Sequence, residues 1–414
     1  MKKILLVCCL LSSFVLFAEP RIRAVRPSAV YKVGEDIVFN IMDAPANAQY
    51  RISDSHVAGK FVKLEGNSVT FKARKPGFVL LELKAGKSRP VYGGAAVEPE
   101  KIVPGVIRPE DFDAFWDNEL KQLRAHKLEV IKKIPVPADK LPKGFIGFDV
   151  HVKRGDVVVS GYVVLPAGSK AKSLPARLSF NGASKVSANI GSAAGGAKAS
   201  NSIAMNINFH GLENSYNRSD AIISANRKQV AFYQFNNAND RQKYAMRKIF
   251  LRTVVAADYL MSLPEYNGTL GVSGGSLGGC QAIICAALVP EVKYCVSTGT
   301  AMCDHFGAKA GHVPGWPRML GRDRTPKGAE AVAPYFDVVN FASRIKCPVV
   351  MSVGFIDVTC SPASTYAAYN SLKTANRTMH HVITAGHGQA WDKKEGSVFG
   401  RGGVEFTKWL RNAR

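Results

Sequence analysis

Little in this chain points to a membrane, a metal or a nucleic acid. Beyond residue 18 no segment reaches the ~18 consecutive apolar residues of a membrane-spanning helix. No two cysteines are spaced C-x-x-C and no two histidines H-x-x-x-H, so the common metal-ligand spacings are missing. Acidic residues are few: 32 Asp and Glu against 55 Lys and Arg give a formal net charge of +23. Yet no basic run of five residues occurs and no nucleic-acid motif is present. An acidic polysaccharide or another anionic surface suits this charge better, and the plain alternative is a spread of solvated lysines. Cysteine is scarce as well. Cys8 and Cys9 lie in the N-terminal apolar run, and Cys280, Cys285, Cys295, Cys303, Cys347 and Cys360 lie in the C-terminal third. Several sit in apolar runs such as Ile283-Ile284-Cys285, where a thiol serves as a small hydrophobe. Spacing assigns no disulfide.

What is present is an ordinary globular composition, 46% apolar and 21% charged over 414 residues, long enough for two domains. Residues 1–18 read as a secretory signal, with Lys2 and Lys3 basic, Ile4 to Phe17 apolar and Ala18 a cleavage residue. Leu5-Leu6-Val7-Cys8 makes a poor lipoprotein box because Val7 is not small. A secreted or periplasmic protein is expected. Residues 19–98 read as all-β. Ile37, Phe39 and Ile41 alternate with polar or outward neighbours, as do Val69, Phe71 and Ala73. Gly34, Gly66-Asn67 and Pro76-Gly77 punctuate the runs. About seven short strands in this length suggest a small immunoglobulin-like sandwich. It reads as a spacer or oligomerisation unit, since no aromatic sugar platform is evident.

From residue 99 to 414 the pattern becomes α/β. Phe112, Phe115, Trp116, Leu120 and Leu123 fall at helical spacing, as do Met246, Ile249, Phe250, Thr253, Ala257 and Leu260. Extended runs at 145–153, 157–165, 176–180, 203–207, 269–273, 292–297, 348–353 and 378–384 predict a mainly parallel sheet. A long insertion at 299–346 carries Gly311-His312-Val313-Pro314-Gly315-Trp316-Pro317, and connections that long are often lids or binding loops.

The chemistry concentrates at Gly274-Gly275-Ser276-Leu277-Gly278-Gly279. This is G-x-S-x-G after an apolar strand and before a helix, a turn that pushes the serine hydroxyl clear of the backbone. Gly271-Val272-Ser273-Gly274-Gly275 also fits, but its feeding strand would run through the turn dipeptide Asn267-Gly268. The better register ends the strand at Ser273 and bends at Gly274-Gly275. A serine needs a base and an acid. Asp357 and His387 follow, each after an apolar run, giving the order Ser, Asp, His of the α/β-hydrolases. An oxyanion would be held by the N–H groups of Leu277 and of Ala183, in the loop after 176–180. No cofactor and no metal are called for. Asp337 is the rival acid, but it precedes its strand. His380 and His381 read as strand residues. His210 and Trp316 are candidate pocket residues, His210 reading more simply as a structural hydrogen-bonding group.

These segments resemble the acetyl xylan esterase and cephalosporin C deacetylase family of α/β-hydrolases. The matching stretches are Phe112-Asp113-Ala114-Phe115-Trp116, the Ser276 motif, Tyr335-Phe336-Asp337-Val338-Val339-Asn340, and Asp357-Val358-Thr359-Cys360-Ser361-Pro362-Ala363-Ser364-Thr365 leading to Ala367-Ala368-Tyr369-Asn370. The resemblance spans roughly residues 100 to 414. It implies removal of acetyl groups from small acetylated sugars, with Ser276, Asp357 and His387 as the triad and Ala183 and Leu277 at the oxyanion. It also implies a homo-oligomer with active sites facing an internal space. The chain departs from the family pattern where Leu277 replaces a glutamine, His210-Gly211-Leu212 an Arg-Gly-Gln segment, and His387-Gly388 a His-Glu pair. Other readings are a glucuronoyl or pectin acetyl esterase, or a polysaccharide-binding protein on a hydrolase scaffold. A glucuronoyl esterase should carry an arginine at Leu277. A prolyl peptidase would need more than this short N-terminal unit ahead of the catalytic domain.

Overall fold

The computed structural model describes residues 19–55, 57–86, 89–215 and 220–413; the expected signal segment 1–18 lies outside the described residues. The first part of the described chain forms two sheets. Arg21–Ala24, Asp36–Met42 and Ser68–Lys72 make a three-stranded antiparallel sheet. The second sheet runs in the order Val30–Tyr31, Val91–Val97, Gly77–Lys84, Gln49–Asp54 and Val57–Ala58, with Val62–Lys63 also on Gln49–Asp54. Ile37, Phe39 and Ile41 point inward, while Phe71 is only half-buried. The two sheets meet face to face. A Cβ at Gly93 would come within 2.3 Å of Ile22, so the close approach there requires glycine.

The remainder is built on a nine-stranded sheet. Its strands are β1 (Glu129–Pro135), β2 (Phe145–Arg154), β3 (Val157–Pro166), β4 (Leu174–Phe180), β5 (Ile203–Asn208), β6 (Tyr266–Gly275), β7 (Val292–Thr298), β8 (Val349–Gly354) and β9 (Arg377–Val382). They lie in the order β1-β2-β3-β5-β4-β6-β7-β8-β9. The pairings from β5 to β9 are parallel, and β1 to β3 join antiparallel at one side. β1 carries no legible alternation because most of its side chains are exposed on both faces. β9 stops at Val382, short of the expected 384, and Thr384 turns away toward His387.

Helices cover both faces. α1 (Phe112–Ala125) precedes the sheet, α2 (Ile190–Ser200) follows β4, and α3 (Asp220–Gln229) and α4 (Ala245–Ser262) lie between β5 and β6. α5 (Leu277–Leu288) follows β6, and α6 (Ala329–Val332) and α7 (Val338–Ala342) lie in the long connection to β8. α8 (Pro362–Asn370) links β8 to β9, and α9 (Gly403–Asn412) ends the described chain. α4, α5, α7 and α8 pack on one face, α2 and α9 on the other. α2 went unforeseen because its sequence is mostly small: Ala193, Gly196 and Ala197 let it lie close on β3 and β5. α4 is buried almost all round, at Leu251, Val254 and Val255 as well as at the predicted stripe.

Trp116 is the anchor of α1. Its ring centroid lies 5.1 Å from Phe341, 5.5 Å from Phe336 and 5.9 Å from Phe250. Its Nε1–H donates to the Tyr335 carbonyl at 2.9 Å. The side chain is fully buried. Truncating such a ring removes its transfer energy and leaves a cavity. Trp116→Ala is expected to destabilise the fold by about 3–5 kcal/mol in a urea titration. Ile107→Ala, at a position 84% exposed, should stay within about 0.5 kcal/mol. Equal midpoints for the two variants would contradict this packing account.

Candidate active site

The strand-to-helix turn between β6 and α5 falls on Ser276, with φ 58° and ψ −125°. β6 continues through Gly275, so the bend lies one step later than the expected Gly274-Gly275. Those glycines answer a different need. A Cβ at Gly274 would meet the Gly278 carbonyl oxygen at 2.2 Å, and one at Gly278 would meet the Phe180 carbonyl oxygen at 2.3 Å. Only bare backbone lets α5 start this close to β4. A non-glycine residue at this φ carries roughly 1–3 kcal/mol of strain. Surrounding bonds hold it there. Ser276 N–H donates to the Thr298 carbonyl at 2.8 Å, and the Ser276 carbonyl accepts from Ala301 at 3.1 Å and from Cys280 at 3.2 Å. Ser273 instead sits inside β6, in register with Ser179 on β4 and Val296 on β7.

His387 and Asp357 reach the serine from the ends of β9 and β8. His387 Nε2 lies 2.9 Å from Ser276 Oγ, and its Nδ1 lies 2.7 Å from Asp357 Oδ2. The other carboxylate oxygen, Oδ1, accepts N–H bonds from Thr359 at 2.8 Å and Cys360 at 2.9 Å. The Asp357 side chain is 1% exposed, so both its oxygens are engaged inside the protein. The two loops are packed backbone on backbone. Ile356 N–H donates to the Ala385 carbonyl at 3.2 Å. A Cβ at Gly354 would come within 2.4 Å of that same oxygen. Phe399 stands edge-on to the imidazole, centroids 5.1 Å apart.

The loop after β4 lies against the serine. A Cβ on Gly182, the residue before Ala183, would be 3.7 Å from Ser276 Cβ. Leu277 is the first residue of α5, where an N–H has no partner within the helix. Gln281 joins the two segments. Its Nε2 donates to the Asn181 carbonyl at 3.3 Å and to the Leu277 carbonyl at 3.2 Å, and the residue is fully buried. Sequence reading passed over Gln281, although one amide in an otherwise apolar helix was a signal. Asn181 is fixed in turn by bonds to Asn206 Oδ1 at 2.8 Å and the Ile207 carbonyl at 3.1 Å.

The insertion begins at this site. Met302 N–H donates to the Trp316 carbonyl at 2.7 Å. The buried Cys360 thiol, held well above its ordinary pKa by burial, contacts both the Ser276 hydroxyl and the Trp316 main chain. Trp316 itself lines a cavity of about 340 Å³ with Phe232, Phe235, Arg322 and Arg324. All six C-terminal cysteines are buried and unpaired. Asp337 is fully buried away from His387, accepting N–H bonds from His305 at 2.6 Å, Asp304 at 2.8 Å and Val339 at 3.0 Å. His381 contacts the Tyr366 hydroxyl, and His380 lies 3.4 Å from Glu405.

A Ser-His-carboxylate relay at a strand-to-helix elbow, on this sheet order, defines an α/β-hydrolase. The family model for acetyl xylan esterase matches residues 101–311 and 319–395. The chain belongs to the acetyl xylan esterase family. The acetyl esterase Axe7A of Xylanibacter ruminicola is 28% identical over 372 residues, covering 84% of this chain and 82% of that protein. Among solved structures, an acetyl xylan esterase from Paenibacillus sp. R4 superposes with a TM-score of 0.60 at 22% identity, over 75% of this chain and 98% of that one. Acetyl xylan esterase 1 from Thermoanaerobacterium sp. JW/SL YS485 gives 0.57 at 22% identity, over 76% and 98%. The family match starts at residue 101, just after the N-terminal sheets.

His210 is drawn into the core. It packs against Phe209 and Tyr233, centroids 4.2 and 4.8 Å away, and makes no hydrogen bond to Ser276, Asp357 or His387. Burial, and secondarily the Arg252 charge, push its pKa down to about 3. Its folded pKa is thus below the unfolded value of about 6.5, so the unfolded chain binds the extra proton. Stability from this group is complete above pH 6.5 and is lost as pH falls toward 3. The slope is up to about 1.4 kcal/mol per pH unit. His210→Phe is expected to flatten the acid-side fall in urea-melt stability between pH 6.5 and 5. An unchanged slope would place the titrating group elsewhere.

Proposed function

We propose that the chain is an exported serine esterase that removes acetyl groups from acetylated xylan, xylo-oligosaccharides or related sugars through an acyl-enzyme. The carrying observation is the hydrogen-bonded chain Ser276–His387–Asp357 at the elbow. In this reading Ser276 Oγ attacks the acetyl carbonyl while His387 Nε2 takes its proton. Asp357 fixes the imidazole with Nδ1–H toward itself and stabilises the imidazolium. The oxyanion accepts from the N–H groups of Leu277 and Ala183, their spacing kept by Gln281. Collapse returns the proton from His387 to the sugar oxygen. Water then attacks the acetyl-serine by the same route in reverse. The reaction needs no cofactor.

Family membership and the names of the relatives support acetyl and sugar specificity. The basic segment and apolar run before Ala18 support export, and no described helix is long and apolar enough to cross a membrane. We read residues 19–98 as an immunoglobulin-like sandwich ahead of a catalytic domain at 99–414, and the working form as a homo-oligomer.

Ser276→Ala is expected to lower kcat on p-nitrophenyl acetate by about 10⁵–10⁶, while Ser273→Ala stays within about tenfold. An inactive Ser273→Ala beside an active Ser276→Ala would overturn the assignment. Acyl selectivity is the second expectation. We read the insertion, whose Trp316 main chain lies by the Cys360 thiol beside the serine, as closing over the acyl group. Each misfitting methylene is worth about 1–3 kcal/mol. Rates should fall steeply from p-nitrophenyl acetate to butyrate and be negligible with octanoate. Preference for octanoate would indicate an open groove and end the sugar-deacetylase reading.

A further inference from the structure

The N-terminal sheets do not hang free of the catalytic unit. Phe78 packs edge-on against Phe355, centroids 5.2 Å apart, and tilts over Tyr366 at 5.7 Å. Gly94 lies so close that a Cβ would come within 2.5 Å of the Phe355 carbonyl oxygen. Phe355 precedes Asp357 by two residues, and its N–H donates to the Val382 carbonyl on β9 at 3.2 Å. The second sheet therefore rests on the junction of the acid loop and the histidine strand.

The first sheet grips the histidine loop itself. Arg23 donates to Asp392 at 2.8 Å and to Glu395 at 3.1 Å, across 369 and 372 positions of sequence. The other Glu395 oxygen accepts the Thr384 N–H at 2.9 Å. Thr384 comes three residues before His387, and its carbonyl accepts from Trp391 at 3.2 Å. The Arg21 guanidinium lies 6.0 Å from the Trp391 ring centroid. Glu395 thus joins both arms of the loop that presents His387, and Arg23 holds Glu395 and Asp392 on the arm after it.

We propose that the N-terminal unit is a positioning domain for His387 and Asp357, with Arg23 and Phe78 as its contacts, an inference that rests on the Ser276–His387–Asp357 reading. The magnitudes separate this role from mere stabilisation. A partly exposed ion pair adds little to global stability. Misplacing a catalytic group by about 1 Å lowers the rate on the order of 100-fold.

The test uses the full chain and p-nitrophenyl acetate. Arg23→Ala should lower kcat by about 10- to 100-fold, with KM within about threefold. Its thermal melt should match wild type. The low-field proton resonance of the His387 Nδ1–H shared with Asp357 should broaden or vanish. Arg23→Lys, which keeps the charge, should recover much of the rate. Arg26→Ala breaks an ion pair with Glu35 inside the same small domain, and it should leave the rate unchanged. Ser276→Ala is run alongside. If Ser276→Ala is inactive and Arg23→Ala keeps wild-type kcat, or loses rate through KM alone, the positioning role is overturned. If Ser276→Ala stays active, the triad reading falls and this inference with it.

Discussion

Ser276 can stand where it does only because backbone meets backbone around it. α5 begins with no side chain between it and β6 at Gly274, or between it and β4 at Gly278. Those contacts force the chain to turn on a single residue, and the residue at the turn takes a positive φ. A loop with ordinary side chains would swing wider and leave the serine in a strand or a helix. The hydroxyl would then lose its aim at His387. The bonds to Thr298 and Ala301 lock the same residue to β7 and the start of the insertion, so sheet, helix and insertion share one fixed point.

Two buried aspartates show how partners divide chemistry from architecture. Asp357 and Asp337 are both cut off from solvent and both accept backbone N–H bonds. Asp357 keeps one oxygen for an imidazole that opens onto the serine. Asp337 spends its oxygens on the main chain of the insertion, and burial followed by the nearby Asp304 pushes its pKa up to about 8. The first faces the imidazole that bonds the Ser276 hydroxyl. The second holds residues 304, 305 and 339 together.

The elbow and the order of Ser276, Asp357 and His387 were legible in the sequence because each depends on a local pattern: an apolar strand, then a turn, then one polar residue. The same holds for the amphipathic stripe of α1, whereas the stripe read for α4 is only part of a helix buried almost all round. β1 was not legible because an edge strand exposed on both faces has no alternation to read. α2 was hidden by its small residues, which pack by closeness and leave no apolar stripe. Gln281 looked like one polar residue in a core helix, and its use appears only when Asn181 arrives from β4. Arg23 was beyond reach for a plainer reason. Its partners lie more than 350 positions away, and nothing local marks an arginine in a short strand as bound for the histidine loop.

The central claim is that Ser276 is the nucleophile of a relay through His387 to Asp357. Diisopropyl fluorophosphate tests it directly, because an activated serine hydroxyl displaces fluoride and keeps the phosphoryl group. Tryptic mapping by mass spectrometry would then locate the adduct. The account predicts a single adduct on Ser276, formed in step with loss of esterase activity and absent from a chain carrying His387→Ala. An adduct on Ser273, or full inactivation with Ser276 unmodified, would contradict it.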